Sequence, residues 1–172
     1  MDVKQVIKQW KAISAAVEPV EYAVCGYDYD VAVAGAKVNE LASIMLKNGF
    51  YLVDLMAVHV KPAIEVVYQF AHFETRCRVM ARAFVDNNEI PTISDVYQGA
   101  NWHERETRDF HGVVFNGHPN LEPLILPEED VDLKPLLKDE ENLKDVGMVR
   151  RQQPGPESEA AKPEVVKSQE QS

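Results

Sequence analysis

Seven ionisable side chains fall between positions 103 and 111: His103, Glu104, Arg105, Glu106, Arg108, Asp109 and His111. His118 follows shortly after. Histidines and carboxylates at this density suggest a metal site first. On a helix, however, a shared ion wants histidines four apart, as in H-E-x-x-H. His103 and His111 are eight apart, roughly two turns, too far for one ion without distortion. Acid–base chemistry by Glu104 or Glu106 is the second option, but each has an arginine nearby that favours the ionised form. No Ser/His/Asp order and no glycine-rich phosphate loop stands out. Two non-catalytic readings remain. One is a solvated helix face laced with i,i+4 pairs such as Arg105–Asp109. The other is a polar network buried against another protein, with Trp102 and Arg105 as residue types enriched at interface hot spots.

The element that must carry these groups is the stretch from Asn101 to Leu126. It opens as a helix with few apolar residues, Trp102 and Phe110, and Val113 just beyond its end. Gly112 sits where a C-cap glycine belongs. An apolar run, Val113-Val114-Phe115, precedes a turn at Asn116-Gly117, and His118-Pro119 requires extended backbone.

Within this stretch Glu104-Arg105-Glu106, Asp109, Gly112, Phe115, Gly117-His118-Pro119 and Leu121 occur in order. Together they resemble the signature of the C-subunit family of respiratory complex I, also called the thirty-kilodalton subunit family. That family has relatives in membrane-bound energy-converting hydrogenases. The likeness continues upstream from Pro91-Thr92 to Asn101-Trp102. The resemblance implies an α/β N-terminal domain with an extended C-terminal arm and no cofactor. It also implies a bracing role against a large partner, the D subunit of complex I, which resembles the nickel–iron hydrogenase large subunit and forms the quinone-reducing cavity. Iron–sulfur subunits of the same arm are further implied partners. On this resemblance Trp102, Glu104, Arg105, Glu106, Asp109, Gly112, Phe115, His118, Pro119 and Leu121 form the partner interface. The implied location is cytoplasmic, on the inner face of the cell membrane, with membrane contact only through the complex. Departures from the pattern are His111 where a bulky apolar residue is usual, Leu137 in an arginine position, and Glu122-Pro123 in place of a basic pair. They lean toward a hydrogenase-type or divergent complex. An equivalent subunit of an energy-converting hydrogenase is therefore the alternative, followed by a free-standing binding module and a metal-dependent hydrolase.

Composition excludes several classes. The net charge of −10 argues against nucleic acid and against an anionic membrane surface, since both need clustered Lys and Arg. Two cysteines, Cys25 and Cys77, are too few for a disulfide framework or a four-thiolate iron–sulfur cluster. No apolar run reaches transmembrane length, and the N-terminus lacks the features of a signal or transit peptide. These features predict a reducing, cytoplasmic setting. The 172 residues suffice for one domain with a proper core.

Along the chain, Val3, Val6, Ile7, Trp10 and Ile13 predict an amphipathic helix over 2–15, with Asp2 able to cap it. Strands are predicted at 20–24 and 30–34, the two forming a hairpin. A helix follows at 37–48, with Gly49 ending it. Three strands are predicted at 51–60, 64–73 and 77–84, the last two joined at Glu74-Thr75. Residues 85–93 read as a polar loop, and Thr92 or Ser94 can cap a short helical turn at 95–97. The fold class is α+β, with helices on one face of a mixed, largely antiparallel sheet, then the signature helix and an extended arm. The expected divisions are 1–91, 92–126, 127–151 and a disordered tail at 152–172.

Overall fold

A computed structural model describes residues 3–149. The disordered-tail expectation and the capping role of Asp2 fall outside the described residues. The chain runs α1 (Val3–Ile13), β1 (Ser14–Pro19), α2 (Tyr22–Cys25), β2 (Tyr29–Val33), α3 (Val38–Lys47), β3 (Phe50–His59), β4 (Ile64–His72) and β5 (Arg78–Phe84). It continues with β6 (Glu89–Pro91), α4 (Ala100–His111), β7 (Val114–Asn116) and the short α5 (Val146–Val149). The fold is α+β. Its five-stranded sheet has the order β1-β2-β5-β4-β3, and it is mixed because β2 and β5 run parallel while the other pairs are antiparallel.

Periodicity explains the core. Val66, Tyr68 and Phe70 alternate along β4, and Val79, Ala81 and Ala83 along β5, so each set shares one face of the sheet. These residues join one hydrophobic cluster with Val6 and Trp10 of α1, Leu41 and Met45 of α3, and Ala100 of α4. Trp10 sits at its centre, edge-on to Tyr29 and Phe50 at 5.8 and 5.7 Å. The same cluster takes in Ile90, Ile93, Val113 and Phe115, so the stretch around the signature helix shares the core of the N-terminal sheet.

Three local expectations are corrected. The predicted strand at 20–24 is largely the single-turn helix α2, closed by Gly26 with its left-handed φ of 81°. The strand that pairs with β2 is instead β1, directly after α1. Its small residues give little alternation to read. As an edge strand it tolerates Pro19, which has no N–H to donate. The predicted polar loop at 85–93 contains β6, which pairs in parallel with β7. Asn87 and Asn88, at φ 49° and 62°, make the tight turn before it. Asn adopts that conformation more readily than most residues.

β3 is an edge strand, and edges left open invite unwanted pairing. Here α4 packs on β3. The segment after β7 returns over α4 and reaches the far end of β3, where Lys61 N–H donates to the Lys144 carbonyl at 2.9 Å.

Candidate partner-binding site

The signature helix is α4. Gly112 closes it at φ 74°, its N–H donating to the Arg108 carbonyl at 2.9 Å, as the C-cap position requires. The helix distributes its charged groups to three destinations, and only the folded chain shows which goes where.

Glu104 points inward and has no exposed surface. Its carboxylate accepts the Thr92 hydroxyl at 2.5 Å and the Ile93 N–H at 2.8 Å. Thr92 Oγ1 has one proton and gives it to Glu104, so the Ser94 hydroxyl, 2.7 Å away, donates to Thr92. The Ser94 N–H also donates to Thr92 Oγ1, at 3.0 Å. This ties α4 to the turn at 92–97, whose own Asn39 bonds lead back to α3. Burial pushes the Glu104 carboxyl up to about 7, against the opposing effect of the Thr92 and Ile93 bonds and with a further push from Asp95. Removal from water disfavours the charged form. The expectation that a neighbouring arginine keeps Glu104 ionised is therefore corrected. Arg105, one residue on, projects to a different side of the helix.

Arg105 and Asp109 do not pair with each other, which corrects the i,i+4 reading. Arg105 donates through Nε to the Glu122 carbonyl at 2.9 Å and through a terminal nitrogen to the Pro123 carbonyl at 2.7 Å. Asp109 Oδ2 accepts the N–H groups of Leu124 and Ile125, both at 2.8 Å, and of Leu126 at 3.3 Å. Its other oxygen accepts from Arg108 at 3.3 Å. Burial raises the Asp109 carboxyl, but these bonds to the ionised form outweigh it and hold the group below its ordinary value. The two side chains thus clasp five consecutive residues of backbone, the carbonyls by the cation and the amides by the anion.

His118 also turns inward, its side chain fully covered. Nδ1 accepts the Asn120 N–H at 3.1 Å, which places the ring proton on Nε2, facing the Asn101 carbonyl at 3.2 Å. The network of partners thereby assigns the tautomer. Nε2 lies 3.8 Å from Glu104 Oε2. The arm therefore starts from a histidine pinned to the first turn of α4.

The remaining candidates are divided. Trp102 is 68% exposed. Glu106 is half-buried beside a cavity with Asp54 and His111. Phe115 is a core residue, Leu121 packs partly against the core, and Pro119 is exposed. The histidines whose spacing argued against a shared ion do not converge. His103 Nδ1 lies 3.3 Å from Asp54, and no group of three or more His, Cys, Asp or Glu able to hold an ion exists among the described residues. Sequence reasoning missed Thr92 as the partner of Glu104. It also missed the backbone of 122–126, whose amides and carbonyls carry no sequence signal. No helix among the described residues is long and apolar enough to cross a membrane.

The fold is thus a mixed sheet packed with helices, with an arm strapped to one of them by charged side chains. Residues 31–145 match the family described as respiratory-chain NADH dehydrogenase, 30 Kd subunit, and the chain belongs to that family. It is 43% identical over 81 residues to the C subunit of the NADH-quinone oxidoreductase of Roseiflexus sp. (strain RS-1), covering 46% of each chain. It is 39% identical over 64 residues to the C/D subunit of the NADH-quinone oxidoreductase of Nitrosospira multiformis, covering 36% of this chain and 10% of that one. The chain thus spans under half the length of these curated relatives. Its fold is similar to a chain in the structure of the membrane-bound sulfane sulfur reductase, an archaeal respiratory membrane complex. The TM-score is 0.68 at 24% identity, over 87% of this chain and 89% of that one.

Proposed function

We propose that this chain is a non-catalytic subunit of a complex-I-like oxidoreductase, where it braces the large subunit that carries the quinone-reducing cavity. The observation that supports this best is the clasp. Arg105 and Asp109 engage the arm's own backbone and fix its path before any partner arrives. Trp102 on the clasping helix, and Ile125 and Leu133 on the arm, are then left facing outward. Ordering the arm in advance removes an entropy cost that binding would otherwise meet. An exposed tryptophan is the residue type most often found as an interface anchor. The partner proposed is the equivalent of the complex I D subunit. The C/D name of the Nitrosospira relative supports it, since joining two parts in one chain holds them at high effective concentration. The chain itself holds no cofactor on this reading. Iron–sulfur subunits of the same arm are its further neighbours, and it meets the membrane only through the complex, on the inner face.

An energy-converting hydrogenase is the second reading, favoured by the departures at His111, Leu137 and Glu122-Pro123 from the family pattern. A large subunit with four nickel-ligating cysteines distinguishes it from quinone chemistry. The test is co-purification of the large subunit with tagged full chain carrying Trp102→Ala, Ile125→Asp or both. Loss of the large subunit, with circular dichroism of the isolated chain unchanged, is the expected result. Full recovery with the double variant refutes the proposed surface.

A further inference from the structure

Beyond the clasp, the arm is held a second time, by different chemistry. Leu136 N–H donates to the Phe110 carbonyl at 3.1 Å. Lys138 N–H donates to Nδ1 of His59 at 2.9 Å, an imidazole acting as acceptor for a main-chain amide. Beneath this segment lies a cavity of about 200 Å3, lined by Asp54, Met56, Glu106, Phe110, His111 and Leu136 among others. His111 is 6% exposed, and its Nδ1 has no hydrogen-bond partner among the described residues. Two histidines therefore stand at the seam, one an acceptor for the arm and one buried beneath it. Neither contributes to the clasp at 122–126.

We propose that the histidine seam is an acid-sensitive latch, which frees residues 134–138 from the body on protonation while the clasp at 122–126 keeps its hold. The geometry gives the direction. A proton on His59 Nδ1 turns the acceptor of the Lys138 N–H into a donor, so the bond is lost. A proton on His111 places a charge on a buried ring, beside the Lys138 ammonium on the arm and against a second charge should His59 on β3 take up a proton as well. Lys134, whose side chain lies over Gly112, brings a further ammonium-bearing chain to the same end of the helix. The carboxylates that face the cavity, Asp54 of β3 and Glu106 of α4, oppose these cations. Asp54 is already within 3.3 Å of His103 Nδ1. The balance favours the neutral ring. Burial first, then His59 and Lys138, hold His111 down to about 4 from an ordinary 6.5, each acting against the charged form.

The sign follows. A histidine depressed in the closed state binds protons better when the arm opens, so closure is fully present above about pH 6.5 and is lost as the pH falls below it. Between those two values, His111 alone shifts the balance toward opening by about thirty-fold at pH 5. The clasp behaves differently. Asp109 is held below its ordinary value, so it stays ionised over this range.

The test is amide hydrogen exchange of the isolated full chain between pH 8 and pH 5, corrected for intrinsic rates. It needs no partner, so its failure leaves the assembly reading untouched. At pH 5 the Leu136 and Lys138 amides are expected to lose at least about thirty-fold in protection. Those of Leu124 and Ile125, and of β4 and β5, keep theirs. His111→Phe removes the buried titrating ring and is expected to cut the pH effect to a few-fold. His59→Gln is expected to lower Lys138 protection already at pH 8. Should His111→Phe lose the protection of β4, His111→Leu gives the same reading. Unchanged distal protection at pH 5, joint loss of distal and proximal protection, or a full pH effect in the folded His111 variant overturns the latch.

Discussion

Asp109→Ala is the sharpest perturbation of the clasp. The substitution removes one acceptor oxygen from three backbone N–H groups, Leu124, Ile125 and Leu126, and the second oxygen from Arg108. Ile125 is exposed and Arg108 half-buried, so water replaces much of what they lose. Leu124 and Leu126 are half-buried, and each N–H left short of an acceptor costs about 1 kcal/mol or more. The lost charge assistance contributes about 1 kcal/mol further. The sum is about 3 kcal/mol of arm stability, against at most about 0.5 kcal/mol had Asp109 belonged to an exposed i,i+4 pair. Asp109→Asn separates charge from shape. Its amide oxygen can still face the three N–H groups, but its NH2 then meets the Arg108 donor, so a loss of about 1–2 kcal/mol is expected. The readout is exchange of the Leu124 and Ile125 amides, where about 3 kcal/mol corresponds to about a hundred-fold loss of protection. Exchange in Asp109→Ala within a few-fold of the parent shows that these bonds do not hold the arm, and the clasp argument falls with them.

Arg105→Ala removes donors to two carbonyls at the more exposed end of the clasp. It is expected to cost about 1 kcal/mol, less than Asp109→Ala, in the same exchange experiment. Glu104 is expected to show a carboxyl carbon resonance titrating near pH 7 that disappears in Glu104→Gln. Its value is raised above the unfolded one, so the stability it contributes is complete at acid pH and declines as pH rises from about 4.5 through about 7. His111, held down to about 4, acts in the opposite sense over nearly the same window in parent and variant alike. The check on the sign is therefore the difference in urea midpoint between the parent and Glu104→Gln, which is expected to shrink as the pH rises from about 4.5 to about 7. Gly112→Ala combines a φ of 74° with a new Cβ only 3.3 Å from the Lys134 side chain. It is expected to lower stability by about 1–2 kcal/mol with an unchanged urea m-value. Tyr97→Phe deletes a 2.9 Å bond from a largely buried hydroxyl to the Phe50 carbonyl. Its expected cost is about 1–2 kcal/mol in the same assay.

Local spacing alone made several elements legible. Val6 and Trp10 a turn apart mark the inward face of α1. Strict alternation along Cys77–Phe84 marks β5, and Gly112 ends α4 because few other residues adopt its backbone angle at so low a cost. The order of helices and strands was enough for an α+β class, and the run from Glu104 to Leu121 was enough for the family. What depends on partners far away in the chain emerged only on folding. Glu104 and Arg105 are neighbours of opposite charge, and nothing in their spacing says that one is sealed against Thr92 while the other reaches for the Glu122 carbonyl. Strand β1 was hidden because its small residues show little alternation, and its pairing with β2 exists only once the chain has turned through α2. The clasp itself joins side chains to bare amides at 124–126. Every residue but proline carries such an amide, so only the fold can say which of them a buried carboxylate will find.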